Sequence, residues 1–273
     1  MRSIAFINQK GGVGKTTSTA NVGACLATLG KKVLLIDLDP QANLSIHLGI
    51  NVHGKDLSVY QMICGKRKVA EVLTETAVNG LEIIPSDIDL ASAEIELVNT
   101  VGRETIVKFY LEELPSEYDY ILIDCPPSLG LLTLNALTVA NEIFIPLQTE
   151  FFALQGVSKL VQTFEIIKKR LNSSLEITGI IPCMYDSRTK LGNAVLDKIK
   201  EYFEDKVFTT NIRKNIKLSE SPSHGMPIIT YAPDSNGAKD YLALTKEVIA
   251  QEKMMISETI TKQTAEIKEH AMQ

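Results

Sequence analysis

The chain has no tryptophan, and only four cysteines and four histidines among 273 residues; aromatic residues make up 6% of it. Cys25, Cys64, Cys125 and Cys183 lie far apart, with no CxxC pair and no histidine at ligand spacing. That spacing argues against a structural zinc site and against a disulfide framework. The cysteines read instead as small buried apolar residues. No apolar run approaches the roughly 18 residues that a membrane-spanning helix needs. The opening MRSIAFINQKGG reaches its glycines too soon for a signal peptide, so a cytoplasmic protein is expected. Positive charge is also lacking: 28 Lys+Arg stand against 33 Asp+Glu, a net −5. Nucleic-acid binding therefore requires a local basic patch.

What is present is the composition of a folded protein, 45% hydrophobic and 22% charged. Short Ile/Val/Leu runs recur at Ile4–Ile7, Val33–Ile36, Leu81–Ile84, Tyr120–Ile123, Glu142–Pro146 and Ile177–Ile181. Most do not alternate, as expected of strands buried on both faces of a parallel sheet. Helical periodicity fills the intervals at Thr17–Leu29, Val101–Leu114, Leu129–Ala140, Leu154–Leu171 and Leu191–Phe203. Strand alternating with helix predicts an α/β fold, a doubly wound, mostly parallel sheet flanked by helices. With no repeat or Pro/Gly/Ser-rich linker before residue 250, one domain is expected over residues 1–250. Residues 251–273 read as a helical or flexible tail. Its near balance of acids and bases, with no Phe or Trp, argues against a helix lying on a membrane.

Directly after the first strand comes Gln9-Lys10-Gly11-Gly12-Val13-Gly14-Lys15-Thr16-Thr17, leading into a helix. Glycines let backbone N–H groups converge on phosphate oxygens, and the helix N-terminus adds its positive dipole end. Lys15 then reaches the β- and γ-phosphates, Thr16 ligates Mg²⁺ and Thr17 bonds the α-phosphate. The strict G-x-x-x-x-G-K-[ST] pattern is not met, since Gln9 holds its first position. Two strands end in aspartate, in Leu35-Ile36-Asp37-Leu38-Asp39-Pro40 and Ile121-Leu122-Ile123-Asp124-Cys125-Pro126. Carboxylates at the C-terminal edge of a parallel sheet face the same crevice as the phosphate loop.

The octapeptide K-G-G-V-G-K-T-T resembles the deviant Walker A motif of the ParA/MinD family of P-loop ATPases. Further segments resemble its small ParA members, often called Soj: Asp37–Asn43, Cys125–Gly130, Pro146–Leu154, Met184–Thr189 and Leu218–Gly225. The resemblance implies ATP and Mg²⁺ as cofactors. It makes Lys10 the lysine that crosses a dimer interface, so the catalytic set becomes Lys10, Lys15 and Asp39, with Asp39 orienting the attacking water. Residues Lys10 to Thr17 bind the phosphates; Thr16, Asp37 and Asp124 serve the metal; Met184, Arg213 and Asn215 surround the adenine. Arg213 stands where the family has proline. DNA contacts are implied for Arg188, Lys214 and Lys217, the two lysines replacing arginines and so giving up bidentate phosphate recognition. Between Asp186 and Lys217 there are eight Lys/Arg against five Asp/Glu.

The resemblance implies a partition ATPase for a bacterial chromosome or plasmid. Its ATP-bound homodimer would hold double-stranded DNA of the nucleoid non-specifically. A ParB-like centromere-binding partner would stimulate its slow hydrolysis. The chain begins on its first strand, so the helix-turn-helix extension of larger plasmid ParA proteins, and operator-specific repression, are not expected. The alternatives are a positioning ATPase for another cargo, a MinD-like regulator at the membrane, and an iron–sulfur relative, for which Cys125 beside Asp124 is the only thiolate at hand.

Overall fold

The computed structural model describes residues 1–52, 54–114, 117–150 and 153–252. The tail expected from residue 251 lies, beyond Glu252, outside the described residues. The strands are β1 (Arg2–Phe6), β2 (Val33–Asp37), β3 (Thr74–Glu75), β4 (Leu81–Ile84), β5 (Tyr120–Asp124), β6 (Glu142–Gln148), β7 (Glu176–Tyr185) and β8 (Ile212–Arg213). Among the described residues they form one eight-stranded sheet in the order β3-β4-β2-β5-β1-β6-β7-β8. Every pairing is parallel except β3 with β4.

The apolar runs become the six inner strands because each must feed two cores. Val33 and Leu35 face one core while Leu34 and Ile36 face the other, and Leu122 and Ile123 divide in the same way. Side chains of successive strand residues point to opposite faces, so a run without polar positions is what a doubly covered strand requires. The doubly wound, mostly parallel expectation is met. The outermost strands, β3 and β8, are two residues each and were not foreseen, having no apolar run to reveal them.

Helix α1 (Lys15–Thr28) follows β1 and is buried along most of its length. The expected helices at Leu129–Ala140, Leu154–Leu171 and Leu191–Phe203 are found as Leu131–Val139, Ala153–Arg170 and Lys190–Phe203. The continuous helix expected over Val101–Leu114 is interrupted. Gly102, at φ 74°, precedes a 3-10 turn at Arg103–Thr105, and only Ile106–Leu111 is α-helical. The Asn135 side chain fixes this corner by accepting from Val107 N (3.1 Å) and donating to Arg103 O (2.8 Å). The short helix α2 (Asn43–His47) and the helix at residues 236–252 lie outside the stretches where periodicity predicts helix. Among the described residues no helix is long and apolar enough to cross a membrane.

Candidate functional site

The loops following β1, β2, β5, β6, β7 and β8 share the carboxyl edge of the sheet. β1 lies between β5 and β6, and the chain runs from it first to one flank and later to the other. The crevice at such a reversal is where open α/β sheets bind ligands. The glycine-rich loop sits there. Gly12 (φ 71°) and Gly14 (φ 100°) hold left-handed backbone that a side chain would strain. Helix α1 starts at Lys15 with no side-chain cap and no acid in its first turn. Its N-terminal N–H groups therefore remain available to an anion. They border a cavity of about 310 Å³ lined by Gly12, Lys15, Thr16, Thr17, His47 and Met184 among others. Cavities of about 370 and 360 Å³ lie at the amino ends of the strands, beside β6/β7 and β2/β4, away from the glycine-rich loop and from Asp37 and Asp124. Chemistry rather than size marks the site.

Two carboxylates end neighbouring strands beneath this loop, Asp37 paired in register with Asp124. Both are fully buried. Asp124 Oδ2 accepts from Thr16 Oγ1 at 2.6 Å. Burial, then the charge of Asp37, holds the Asp124 carboxyl well above the usual carboxylate range, with Thr16 and Lys15 opposing. Burial also raises Asp37 to about 6, against hydrogen bonds from Ser45 and Asp39 N. Two buried carboxyl groups beside a hydroxyl form a hard-oxygen donor set that a divalent cation would satisfy by drawing off their protons, and oxygen-only donors suit magnesium rather than zinc. The residues fit the expected metal. The Asp37 oxygens also accept from Ser45 N (2.9 Å), Ser45 Oγ (2.7 Å) and Asp39 N (3.2 Å), so Asp37 shapes the turn into α2. Asp39, buried in that turn, accepts from Gln41 N at 3.0 Å through Oδ1.

The two lysines of the loop have different destinations. Lys15 is buried, with Nζ 3.5 Å from the Lys10 carbonyl. Lys10 is half-exposed, and its Nζ reaches Gln148 Oε1 (2.7 Å) and Glu150 Oε2 (2.6 Å) at the end of β6. Gln148 also donates to Gly12 O (3.1 Å) and contacts Met184 Sδ (2.9 Å). These partners were not predicted, although their segment stood among the resembling motifs.

A second, largely apolar cavity of about 230 Å³ adjoins the loop, bordered by Gly14, Thr17, Met184, Arg213, Asn215 and Tyr241 among others. Met184 sits there at φ 53°. Asn215 caps the helix Ile216–Glu220, its Oδ1 accepting from Lys217 N at 2.8 Å, which leaves its amide N–H groups for a ligand. Arg213 borders the cavity, where the resemblance put it, and its guanidinium is forked onto the buried carboxylate of Asp240.

Helix α2, which lines the 310 Å³ cavity through Asn43, Ile46 and His47, ends at a glycine-to-glycine contact. A Cβ on Gly225 would lie 2.8 Å from the Gly49 Cα, and both residues have positive φ. Beside it His47 is buried, Nε2 3.4 Å from Ser221 Oγ, and burial depresses its pKa from 6.5 to about 4. A histidine depressed in the folded state contributes stability above its unfolded pKa and loses it as pH falls. Stability should therefore drop between pH 6.5 and pH 4 by up to about 3 kcal/mol from this residue. Urea midpoints across that range should show a shallower fall for His47→Gln than for wild type. Parallel profiles would remove His47 from the acid response.

The expected DNA residues follow adjacent strands, Arg188 after β7 and Lys214 and Lys217 after β8, and so reach the same edge of the sheet. Their charge is partly spent. Asp186 takes Arg188 Nε and Nη2 at 2.9 and 2.7 Å, and Glu220 takes Lys217 Nζ at 2.8 Å. Arg188 holds the Asp186 carboxyl down at about 2. A count of charges along the chain misses these pairings.

The family model described as an AAA domain matches residues 1–177. The sporulation initiation inhibitor protein Soj of Bacillus subtilis is 51% identical over 247 residues, 90% of this chain and 98% of that protein. The chromosome-partitioning ATPase Soj of Treponema pallidum is 51% identical over 251 residues, 92% and 98% of the two chains. A solved structure of cobyrinic acid a,c-diamide synthase from Mycobacterium smegmatis, with bound ATP analogue and magnesium, superposes with TM-score 0.81 at 36% identity. It covers 93% of this chain and 96% of that one. Identity at this level across nearly the whole of both chains leaves one placement: the protein belongs to the Soj/ParA family of partitioning ATPases.

Proposed function

We propose that this chain is a magnesium-dependent ATPase whose nucleotide state controls a homodimer that binds DNA. The observation that carries the reading is the separation of the two loop lysines. Lys15 is buried in the phosphate loop, whereas Lys10 stands half-exposed at the carboxyl edge of the sheet, its Nζ on Gln148 and Glu150 at the end of β6. A cation placed there serves phosphates presented by a second copy, where two polyanions brought face to face require positive charge in trans.

In this reading the backbone of Lys10 to Thr17 cradles the phosphates, and Lys15 neutralises the β- and γ-oxygens. Thr16 and Asp124 hold magnesium, with Asp37 adding charge beside Asp124. The metal supplies Lewis-acid stabilisation of charge on the transferring phosphoryl group. Asp39 positions the attacking water. Met184 and Asn215 border the adenine. Arg188, Lys214 and Lys217 from two subunits form the surface for double-stranded DNA. Each single patch is weak, and two on one polymer gain through effective concentration. Contacts to phosphates make binding non-specific and salt-dependent. A ParB-like partner stimulates a slow intrinsic hydrolysis, which releases the subunits, so the protein works in the cytoplasm at the nucleoid.

The test is duplex DNA binding with ATP, ADP or no nucleotide, for wild type, Arg188→Glu and Lys10→Ala at two salt concentrations. Binding should require ATP, weaken with salt and vanish in both variants. ATP-dependent dimerisation with no DNA binding would move the platform to a membrane or a protein scaffold. Equal binding in all nucleotide states would overturn the switch.

A further inference from the structure

Strand β8 is two residues long, yet it walls one side of the 230 Å³ cavity. Its register on β7 shifts between Cys183 and Tyr185, so the ladder alone anchors it weakly. The anchor comes from the helix at residues 236–252. Asp240, 7% exposed, accepts Arg213 N at 3.0 Å through Oδ2. It also accepts Arg213 Nε at 3.1 and 3.0 Å through its two oxygens, and Arg213 Nη2 at 2.6 Å through Oδ1. One buried carboxylate thus takes four contacts from one residue. The next residue, Tyr241, is 1% exposed, borders the same cavity and places its OH 3.1 Å from Ser18 Oγ in α1. Helix α1 continues the phosphate loop. Two successive residues of a single helix therefore tie together two elements that line the cavity, β8 and α1.

We infer that Arg213 is a positioning residue: through Asp240 it fixes the spacing between β8 and α1, and so sets the affinity of the site for ATP rather than the rate of hydrolysis. The inference rests on the nucleotide reading of the site. The guanidinium, committed to Asp240, does not itself touch the base. A planar fork holding one carboxylate is a rigid brace, which a lysine replaces only in part.

The test compares wild type with Arg213→Met, Arg213→Lys, Asp240→Asn and the double variant Arg213→Met/Asp240→Asn. Steady-state ATPase kinetics and fluorescent ATP-analogue titration are read on each, with melting temperature measured alongside. Because the pair is half-exposed on the arginine side, the effect is modest. Arg213→Met and Asp240→Asn should each raise KM and Kd by about fivefold while kcat stays within about twofold. Arg213→Lys should recover part of the affinity, and the double variant should be no worse than either single one. A large loss in Arg213→Met with none in Asp240→Asn would mean that the arginine touches the nucleotide and would overturn the inference. Unchanged KM in both singles overturns it too, as does a fall in kcat that tracks a fall in melting temperature. A wild type that binds no ATP overturns the nucleotide reading and this inference with it; a wild type that binds ATP keeps the two failures distinct.

Discussion

Replacing Asp39 with alanine should lower ATP turnover by at least about 100-fold, the scale for loss of a group that positions or deprotonates a nucleophile, while ATP affinity changes by no more than about threefold. The geometry separates these effects. Lys15 and the Thr16–Asp124 contact belong to the phosphate loop and β5, whereas Asp39 stands in the turn between β2 and α2. One Asp39 oxygen supports Gln41 N at 3.0 Å, so alanine also loosens the turn. Asp39→Asn keeps that acceptor and removes only the charge, so it should show nearly the same loss of turnover with less change in stability. Single-turnover hydrolysis and fluorescent-nucleotide titration check both variants. In the proposed cycle, each variant should remain on DNA with ATP after wild type has released. Turnover within threefold of wild type in the alanine variant would remove Asp39 from the mechanism.

The second large effect is on stability, at the opposite end of the sheet. Arg2 is buried, with Nε and Nη2 at 2.7 and 2.6 Å from Glu142 and Nη1 at 2.5 Å from Val248 O. Glu142 also accepts from Thr178 Oγ1 at 2.7 Å, and the guanidinium lies 5.7 Å from the centre of the Tyr120 ring. This pair joins β1, β6 and the last described helix. Arg2→Ala leaves the Glu142 charge buried and unpaired, which costs about 3–5 kcal/mol, or on the order of 10 °C in melting temperature. Arg2→Met combined with Glu142→Gln should recover much of the loss, because no isolated charge remains. Chemical denaturation checks the values. The proposed nucleotide site lies at the other ends of the strands, so turnover per folded molecule should hold in Arg2→Ala. A stability change below about 1 kcal/mol would show that the pair contributes no more than an exposed one.

Local chemistry was legible because its causes are contiguous. The phosphate loop needs glycines at particular positions in one stretch of nine residues, and the structure places Gly12 and Gly14 at positive φ. The inner strands announced themselves by apolar runs that only burial on two faces explains. Asp37 and Asp124 could be placed at one edge because strand direction in a parallel sheet dictates which end faces the crevice. Only the tertiary structure decided which charges meet. Lys10 finds Glu150 across 140 residues and Arg213 finds Asp240 across 27, whereas Arg188 and Lys217 pair within three residues, with Asp186 and Glu220, at a spacing the sequence already holds. Edge strands β3 and β8, the interruption at Gly102 and the burial of His47 belong to the same class. A dihedral preference or an apolar run acts within a few residues and is written in them. An ion pair or a cavity wall is set by what the finished sheet brings alongside, and the linear order of the residues carries no measure of that distance.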